Sequence, residues 1–249
     1  LVKSTHKKYS FQISGLSNIP ASLIKHVGKN RFSKMNGKLI VFEGVEGCGK
    51  TTQIQLCSKW LQSLGISVAV TREPGGTPLG LHLRRLLLEK SLDQPLADRT
   101  ELLLYAADRS QHVEEELRPN LAAGKIILCD RYTDSTIAYQ GYGRGLDMSL
   151  IHKLNSIATD GLESDITLWL DLDVEVGLTR KRGTTMALDR IEQEAIAFHR
   201  RIQQGYAELA TTEPHRIVRI DASASVEIVE KQIQDVLTQR LKLDLLHEF

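Results

Sequence analysis

The residues Gly44-Val45-Glu46-Gly47-Cys48-Gly49-Lys50-Thr51 follow the apolar run Leu39-Ile40-Val41-Phe42 in the order G-x-x-x-x-G-K-T. A strand, a glycine-rich turn and a helix starting at the lysine would aim backbone N–H groups and a helix N-terminus at one point, where anions bind. The expected ligand is the phosphate chain of a nucleoside triphosphate. Lys50 would reach its β- and γ-phosphates, and Thr51 would offer a hydroxyl to Mg²⁺. Thr52 extends the same helix start. A second apolar run, Ile126-Ile127-Leu128-Cys129, ends in Asp130-Arg131-Tyr132. A carboxylate so placed beside a phosphate loop serves the Mg²⁺ shell directly or through water, or else caps the next segment. Arg131 is a candidate phosphate clamp, because a guanidinium pairs with two phosphate oxygens at once.

Arg72 ends another apolar run, and the following Glu73-Pro74-Gly75-Gly76-Thr77 reads as a sharp reversal with an X-Pro bond open to the cis form. Between Leu178 and Arg190, the cations Arg180, Lys181, Arg182 and Arg190 flank a stretch without apolar register. That composition suits a lid over transferring phosphates, or equally a solvated helix end.

Positioning these groups requires alternating strands and helices. Helix one is expected from Lys50 towards Leu64 with Gly65 closing it, then a strand over Ile66–Val70 and a helix over Leu79–Leu88. Asp98 is expected to cap a long helix, Arg99–Ala122, closed by Gly124. Further helices are expected at Leu150–Ala158, Val174–Arg182, Ile191–Ala210 and Val226–Leu241, with strands at Ile166–Leu170 and Ile217–Ile220. Short strands apolar on both faces and separated by helices imply a parallel sheet covered on both sides, with ligands at its carboxyl edge. No internal repeat interrupts residues 35–249, which read as one α/β domain. His112, His152 and His199 lack ligand-like spacing and read as surface or core residues.

The chain has 249 residues and a net charge of +1 with 25% charged residues, so no global field points to nucleic acid or membrane. No apolar run approaches the roughly 20 residues of a membrane span. Cys48, Cys57 and Cys129 have no metal-ligand or C-x-x-C spacing and read as reduced thiols. Residues 1–34 stand apart: no Asp or Glu occurs before Glu43, while Lys3, Lys7, Lys8, Lys25, Lys29, Arg31 and Lys34 accumulate among serines. This basic leader reads as disordered, with three origins open: a transit peptide, upstream codons translated from an early start, or residues added by cloning. The cytoplasm is the expected compartment, or an organellar matrix if the leader is a transit peptide.

Gly44–Thr52, Thr71–Thr77, Tyr105-Ala106-Ala107-Asp108-Arg109, Asp130-Arg131-Tyr132, Tyr139-Gln140-Gly141 and Leu188-Asp189-Arg190-Ile191-Glu192 occur in an order that resembles bacterial-type thymidylate kinases. The resemblance spans essentially all of residues 35–249. It implies a P-loop kinase fold with a five-stranded parallel sheet and helices on both faces. It also implies Mg²⁺-dependent transfer of the γ-phosphate of ATP to dTMP, in a homodimer, with a lid at about residues 180–190.

By that resemblance ATP lies on Gly44, Val45, Glu46, Gly47, Cys48, Gly49, Lys50, Thr51 and Thr52, with Thr51 and Asp130 serving the metal. Glu46 also matches a residue associated with the deoxyribose 3′-hydroxyl. Arg72 and Arg131 match residues holding the monophosphate, Tyr105 a ring stacking on thymine, and Arg109 a donor to its O4. Ser135, Thr136, Tyr139 and Gln140 line the same pocket. Tyr105 and Arg109 are four apart on a helix, so ring and guanidinium fork would share one face.

Some relatives carry an arginine in the P-loop where this chain has Gly47, so the catalytic cations are expected from the lid, at Arg180 and Arg182, with Lys50 and Arg131 beside them. The rival readings are a kinase acting on another nucleoside or nucleoside monophosphate, and a catalytically dead nucleotide-binding regulator. An N-K-x-D guanine-reading loop does not occur. Because every candidate contact lies beyond Met35, deleting residues 1–34 should leave turnover and melting temperature near those of the whole chain. Coupled ADP-release assays and thermal melts on both proteins check this; a truncated chain that does not fold would reject the boundary.

Overall fold

The computed structural model describes residues 37–88, 96–183 and 189–243, all within the unit Lys34–Phe249. The leader assigned to residues 1–34 and the lid residues 184–188 lie outside the described residues, as does the side chain of Arg182. Five strands form one parallel sheet in the order β2-β3-β1-β4-β5. They are β1 (Lys38–Glu43), β2 (Val68–Arg72), β3 (Ile126–Asp130), β4 (Ile166–Asp171) and β5 (Ile217–Asp221). Leu39, Ile40, Val41 and Phe42 of β1 are fully buried, as expected for a central strand covered on both faces.

Helix α1 (Lys50–Ser63) follows β1 and packs with α9 (Val226–Leu241). The opposite face carries α3 (Asp98–His112), α4 (Arg118–Ala122) and α8 (Ile196–Thr212), the short α5 (Thr133–Thr136) follows β3, and α2 (Pro78–Leu88) and α6 (Met148–Thr159) pack on α3. Leu39 and Val41 meet Val113, Leu117, Ile127, Cys129 and Tyr132 in a buried cluster beneath this second layer. Strand order reverses between β1 and β3, so the loops after these two strands flank the crevice where ligands bind in such sheets.

Several boundaries differ from the pattern in the sequence, each for a local reason. The β2 strand starts at Val68 rather than Ile66, because Ile66 N–H donates to Leu61 O at 3.1 Å and finishes the end of α1. Gly65 takes the left-handed conformation that this closure needs, at φ 76°. The long helix is interrupted by a π-helical stretch over Val113–Leu117. Asp98 is the first helical residue rather than the cap; the capping position is Ala97, with no side-chain bond. Helix α8 begins at Ile196 rather than Ile191 because Asp189 and Glu192 exchange bonds first. Glu192 N–H donates to Asp189 Oδ1 at 2.9 Å and Asp189 N–H to Glu192 Oε2 at 2.8 Å, closing a separate turn.

Helix α7 (Val174–Arg182) rests on the P-loop backbone to backbone. A Cβ on Gly47 would stand 2.1 Å from Gly177 O, and a Cβ on Gly177 would stand 2.3 Å from Glu46 O. Gly47 also has φ 74°. No side chain fits at either place, which accounts for glycine at the position where some relatives have arginine. The same contact sets the end of α7, with its cations, beside the loop. Gly177→Ala should therefore push α7 off the loop, costing about 1–3 kcal/mol of stability and at least tenfold in turnover. Urea titration and steady-state kinetics on the variant measure both; unchanged values would show that the approach is unimportant.

Candidate active site

The glycine-rich loop and the carboxyl ends of β2 and β3 open into one cavity of about 660 Å³. Gly49 caps α1 in the left-handed conformation without a side-chain bond, and the first turn of α1 holds no acidic residue. Its leading N–H groups and positive helix end are thus free of a competing anion. Lys50 is buried, and its Nζ donates to Gly44 O at 3.0 Å and Val45 O at 3.2 Å. The lysine is held as part of the loop. Gly47, Gly49, Lys50, Thr51 and Thr52 line the cavity, whereas Val45 and Cys48 are buried behind it and Gly44 contributes through its carbonyl.

Thr51 and Asp130 line the same cavity, and Asp130 Oδ1 is buried without a hydrogen-bond partner among the described residues. A buried carboxylate oxygen left over beside a threonine hydroxyl and a phosphate loop fits Mg²⁺, which takes few protein ligands alongside substrate phosphates. No cluster of three or more His, Cys, Asp or Glu side chains suited to a metal occurs among the described residues.

Arg131 is held on both of its Nη atoms. It adopts φ 73°, a conformation rare for a side-chain-bearing residue, held by a bond from its N–H to Phe42 O at 3.0 Å. Its Nη2 pairs with Glu46 Oε1 and donates to Tyr139 Oη at 2.8 Å; its Nη1 donates to Ser135 Oγ at 3.2 Å and Tyr206 Oη at 3.3 Å. Burial alone would raise the Glu46 pKa, but the charges of Arg131 and Lys50 and the bond from Tyr139 lower it to about 2. Glu43, at the end of β1, supports this group from below. It accepts from Tyr132 N–H at 2.9 Å, Ser135 N–H at 3.1 Å, Ser135 Oγ at 2.6 Å and Tyr206 Oη at 2.7 Å.

Arg109 is buried, and most of its donors are committed. Nε donates to Glu73 Oε2 at 2.8 Å, Nη1 to Thr136 Oγ1 at 2.9 Å and Asn155 Oδ1 at 2.6 Å, and Nη2 to Tyr132 O at 2.9 Å. Of the five N–H donors of a guanidinium, one Nη2 hydrogen has no partner among the described residues. Arg109 therefore offers the cavity a single donor rather than the fork expected from its spacing, because Glu73 draws the other edge inward. Glu73 also takes His112 Nδ1 at 2.8 Å, and the other His112 nitrogen meets Thr71 Oγ1 at 2.7 Å, so His112 is a core residue. His199 is buried too and lines no part of the cavity. The Glu73–Pro74 bond is cis. Arg72, Tyr105, Ser135, Thr136, Tyr139, Gln140, Arg180 and Lys181 all line the cavity, with Lys181 Nζ paired to Glu192 Oε1 at 3.0 Å.

Four contributors were not singled out in the sequence: Glu43, Glu73, Arg84 and Tyr206. Arg84 lines the cavity near Arg72 and donates to Pro74 O at 3.0 Å. Burial, then the charge of Arg72, lowers its pKa, which favours an anion there. Its signal was a pair of arginines inside the otherwise apolar helix LGLHLRRLLL. Glu43, as a carboxylate directly ending a fully apolar strand, was also noticeable; Tyr206 lies too far along the chain to be found.

Asp108 is buried beneath the turn, with Oδ1 accepting from Gly75 N–H at 3.0 Å and Oδ2 unpartnered among the described residues. Burial, then the charge of Glu73, raises its pKa from 3.8 to about 6. A carboxyl raised in the folded state adds no cost below its unfolded pKa and its full cost above its folded one. Asp108→Asn keeps the bond to Gly75, so it should stabilise the protein near pH 8 by about 3 kcal/mol at most, with the gain vanishing towards about pH 4. Chemical denaturation at the two pH values reads the difference; a pH-independent effect would reject the burial cost.

The family model described as thymidylate kinase matches residues 42–233. A thymidylate kinase of Nostoc punctiforme is 77% identical over 208 residues, covering 84% of this chain and 99% of the relative. One from a Cyanothece species is 55% identical, over 83% of this chain and 96% of its own. The crystal structure of thymidylate kinase from Ehrlichia chaffeensis superposes with a TM-score of 0.67 at 36% identity, covering 81% of this chain and 99% of that one.

Proposed function

The chain belongs to the thymidylate kinase family, and on that premise we propose how its residues carry out transfer of the γ-phosphoryl group of ATP to dTMP, giving dTDP and ADP. The observation carrying the proposal is the single cavity shared by Lys50, Thr51 and Asp130 on one side and Arg109, Tyr105 and Gln140 on the other. ATP lies with its phosphates against the N-terminus of α1 and the amides of the loop. Lys50 exchanges its loop carbonyls for the β- and γ-phosphates. Thr51 and Asp130 hold Mg²⁺, which when bound offsets the phosphate charge.

At the acceptor end, Tyr105 stacks on the base and the spare Nη2 hydrogen of Arg109 donates to a carbonyl of its edge. Arg72 and Arg131 hold the monophosphate, whose oxygen attacks the γ-phosphorus in line as the bond to the β-phosphate oxygen breaks. Glu46 and Tyr139 keep the Arg131 guanidinium aimed, and Glu46, held ionised, has a second oxygen for the sugar hydroxyl. Arg180 and Lys181, brought to the loop by the Gly47–Gly177 contact, offset charge on the transferred group, with Arg182 as a further lid cation. No covalent enzyme intermediate is needed, since positioning and electrostatics supply the catalysis.

The assembly we propose is a homodimer. Leu103 on α3 and Ile157 on α6 point outward, at 51% and 75% exposure, on helices that pack together. An apolar surface of this kind favours a partner. No described helix is long and apolar enough to cross a membrane. We place the enzyme in the cytoplasm, or in an organellar matrix if the leader directs it there.

Lys50→Ala should retain the fold yet lower turnover on the order of 10²–10³-fold, as for loss of a contact that strengthens in the transition state. The check is coupled ADP release with dTMP, alongside thymidine as acceptor. Near-normal turnover in the folded variant, or better turnover with thymidine than with dTMP, would reject the assignment.

A further inference from the structure

Glu101, on α3, lies outside the cavity lining yet is fully buried between its base end and the return from the lid. Its Oε1 accepts Gln140 Nε2 at 2.8 Å and Arg144 Nε at 3.4 Å. Its Oε2 accepts Arg144 Nη2 at 3.3 Å and pairs with Nη2 of Arg190, whose Nε is bonded to Leu87 O at 2.9 Å. Arg190 follows directly on Asp189, where the chain returns to the described structure after the lid residues. Burial would raise the Glu101 pKa, but bonds from Arg190 and Gln140 and the charge of Arg144 outweigh it and lower the value. The group is therefore an ionised carboxylate, which can only accept hydrogen bonds.

The consequence falls on Gln140. A carboxamide facing an acceptor-only group must turn its NH₂ towards it, leaving the carbonyl oxygen for the other side. Gln140 itself lines the cavity. We infer that Glu101 is a positioning residue for base selection: by capturing the Gln140 amino group it presents Oε1 to the cavity, and so selects a pyrimidine that offers an N3–H donor. Thymine has N3–H beside the O4 acceptor. Cytosine has a bare N3 beside an amino donor, the reverse order. With Oε1 of Gln140 accepting and the one free Arg109 hydrogen donating, the pocket matches the first and opposes the second. The same carboxylate anchors Arg190, so base reading and the lid's return share one buried charge.

This inference rests on the base pocket proposed above, and the test separates the two. In Glu101→Gln the neighbouring amide can offer either a donor or an acceptor, so Gln140 is free to flip. The ratio of kcat/KM for dTMP over dCMP should fall roughly tenfold, about one hydrogen bond's worth. In a Gln140→Met background, adding Glu101→Gln should change that ratio no further, because no amide remains to orient. If Glu101→Gln does not fold, Glu101→Asp keeps the charge for Arg144 and Arg190 while withdrawing the acceptor from Gln140, and the same fall is expected. Equal losses for both substrates, with the ratio unmoved, would make Glu101 a structural support and overturn the inference alone. A Gln140→Met enzyme with unchanged KM for dTMP would overturn the pocket and the inference together.

Discussion

Three separated segments of the chain meet at one guanidinium. Arg131 comes from the end of β3, Glu46 from the phosphate loop and Glu43 from the end of β1, while Ser135 and Tyr139 come from the stretch after β3 and Tyr206 from α8. A buried cation would be costly alone, and here it is surrounded by two carboxylates and three hydroxyls. The left-handed φ at Arg131 is the strain that this arrangement overrides. Remove the cation and Glu46 loses the largest of the charges that hold its pKa low, with Lys50 next. The interaction therefore ties the glycine-rich loop to the stretch after β3.

The second constraint is an absence of side chains. Gly47 and Gly177 let the loop and α7 touch through their backbones. The distance between the phosphate loop and the lid helix is thereby set by van der Waals radii rather than by flexible side chains. Arg180 and Lys181 reach the cavity from that fixed base. A side chain at position 47 and this packing exclude one another sterically, so the glycine in the loop and the seat of α7 are one structural choice.

Buried charges around the base pocket follow a common logic. Glu73 consumes one edge of Arg109, and Glu101 consumes the amino group of Gln140. Arg109 is thereby left with one Nη2 hydrogen among the described residues, and the Gln140 carbonyl oxygen is turned away from Glu101. In the base pocket we propose, selectivity would follow because groups held by buried charges cannot reorient, so a mismatched base would leave buried polar atoms unpaired.

The order of strands and helices, the phosphate loop and Asp130 were legible in the sequence because they depend on local periodicity and short spacings, whereas Tyr105, Ser135, Thr136, Tyr139 and Gln140 were placed in the cavity wall only by resemblance to the family. Helix α9 and the cation-bearing α7 have the bounds that their apolar patterns imply. Where the reading fell short, a distant partner decided. Ile66 left its strand because its amide was needed by α1, and α8 started late because Asp189 and Glu192 closed a turn of their own. Arg109 lost its fork to Glu73, 36 residues away, and Tyr206 reached Glu43 across 163. Sequence by itself determined the phosphate loop after β1 and the charged residues closing β2 and β3, since each motif and its strand are contiguous. Only tertiary structure decided which hydrogen of a guanidinium and which end of an amide face the cavity, because those orientations are set by charges that the fold brings together from far along the chain.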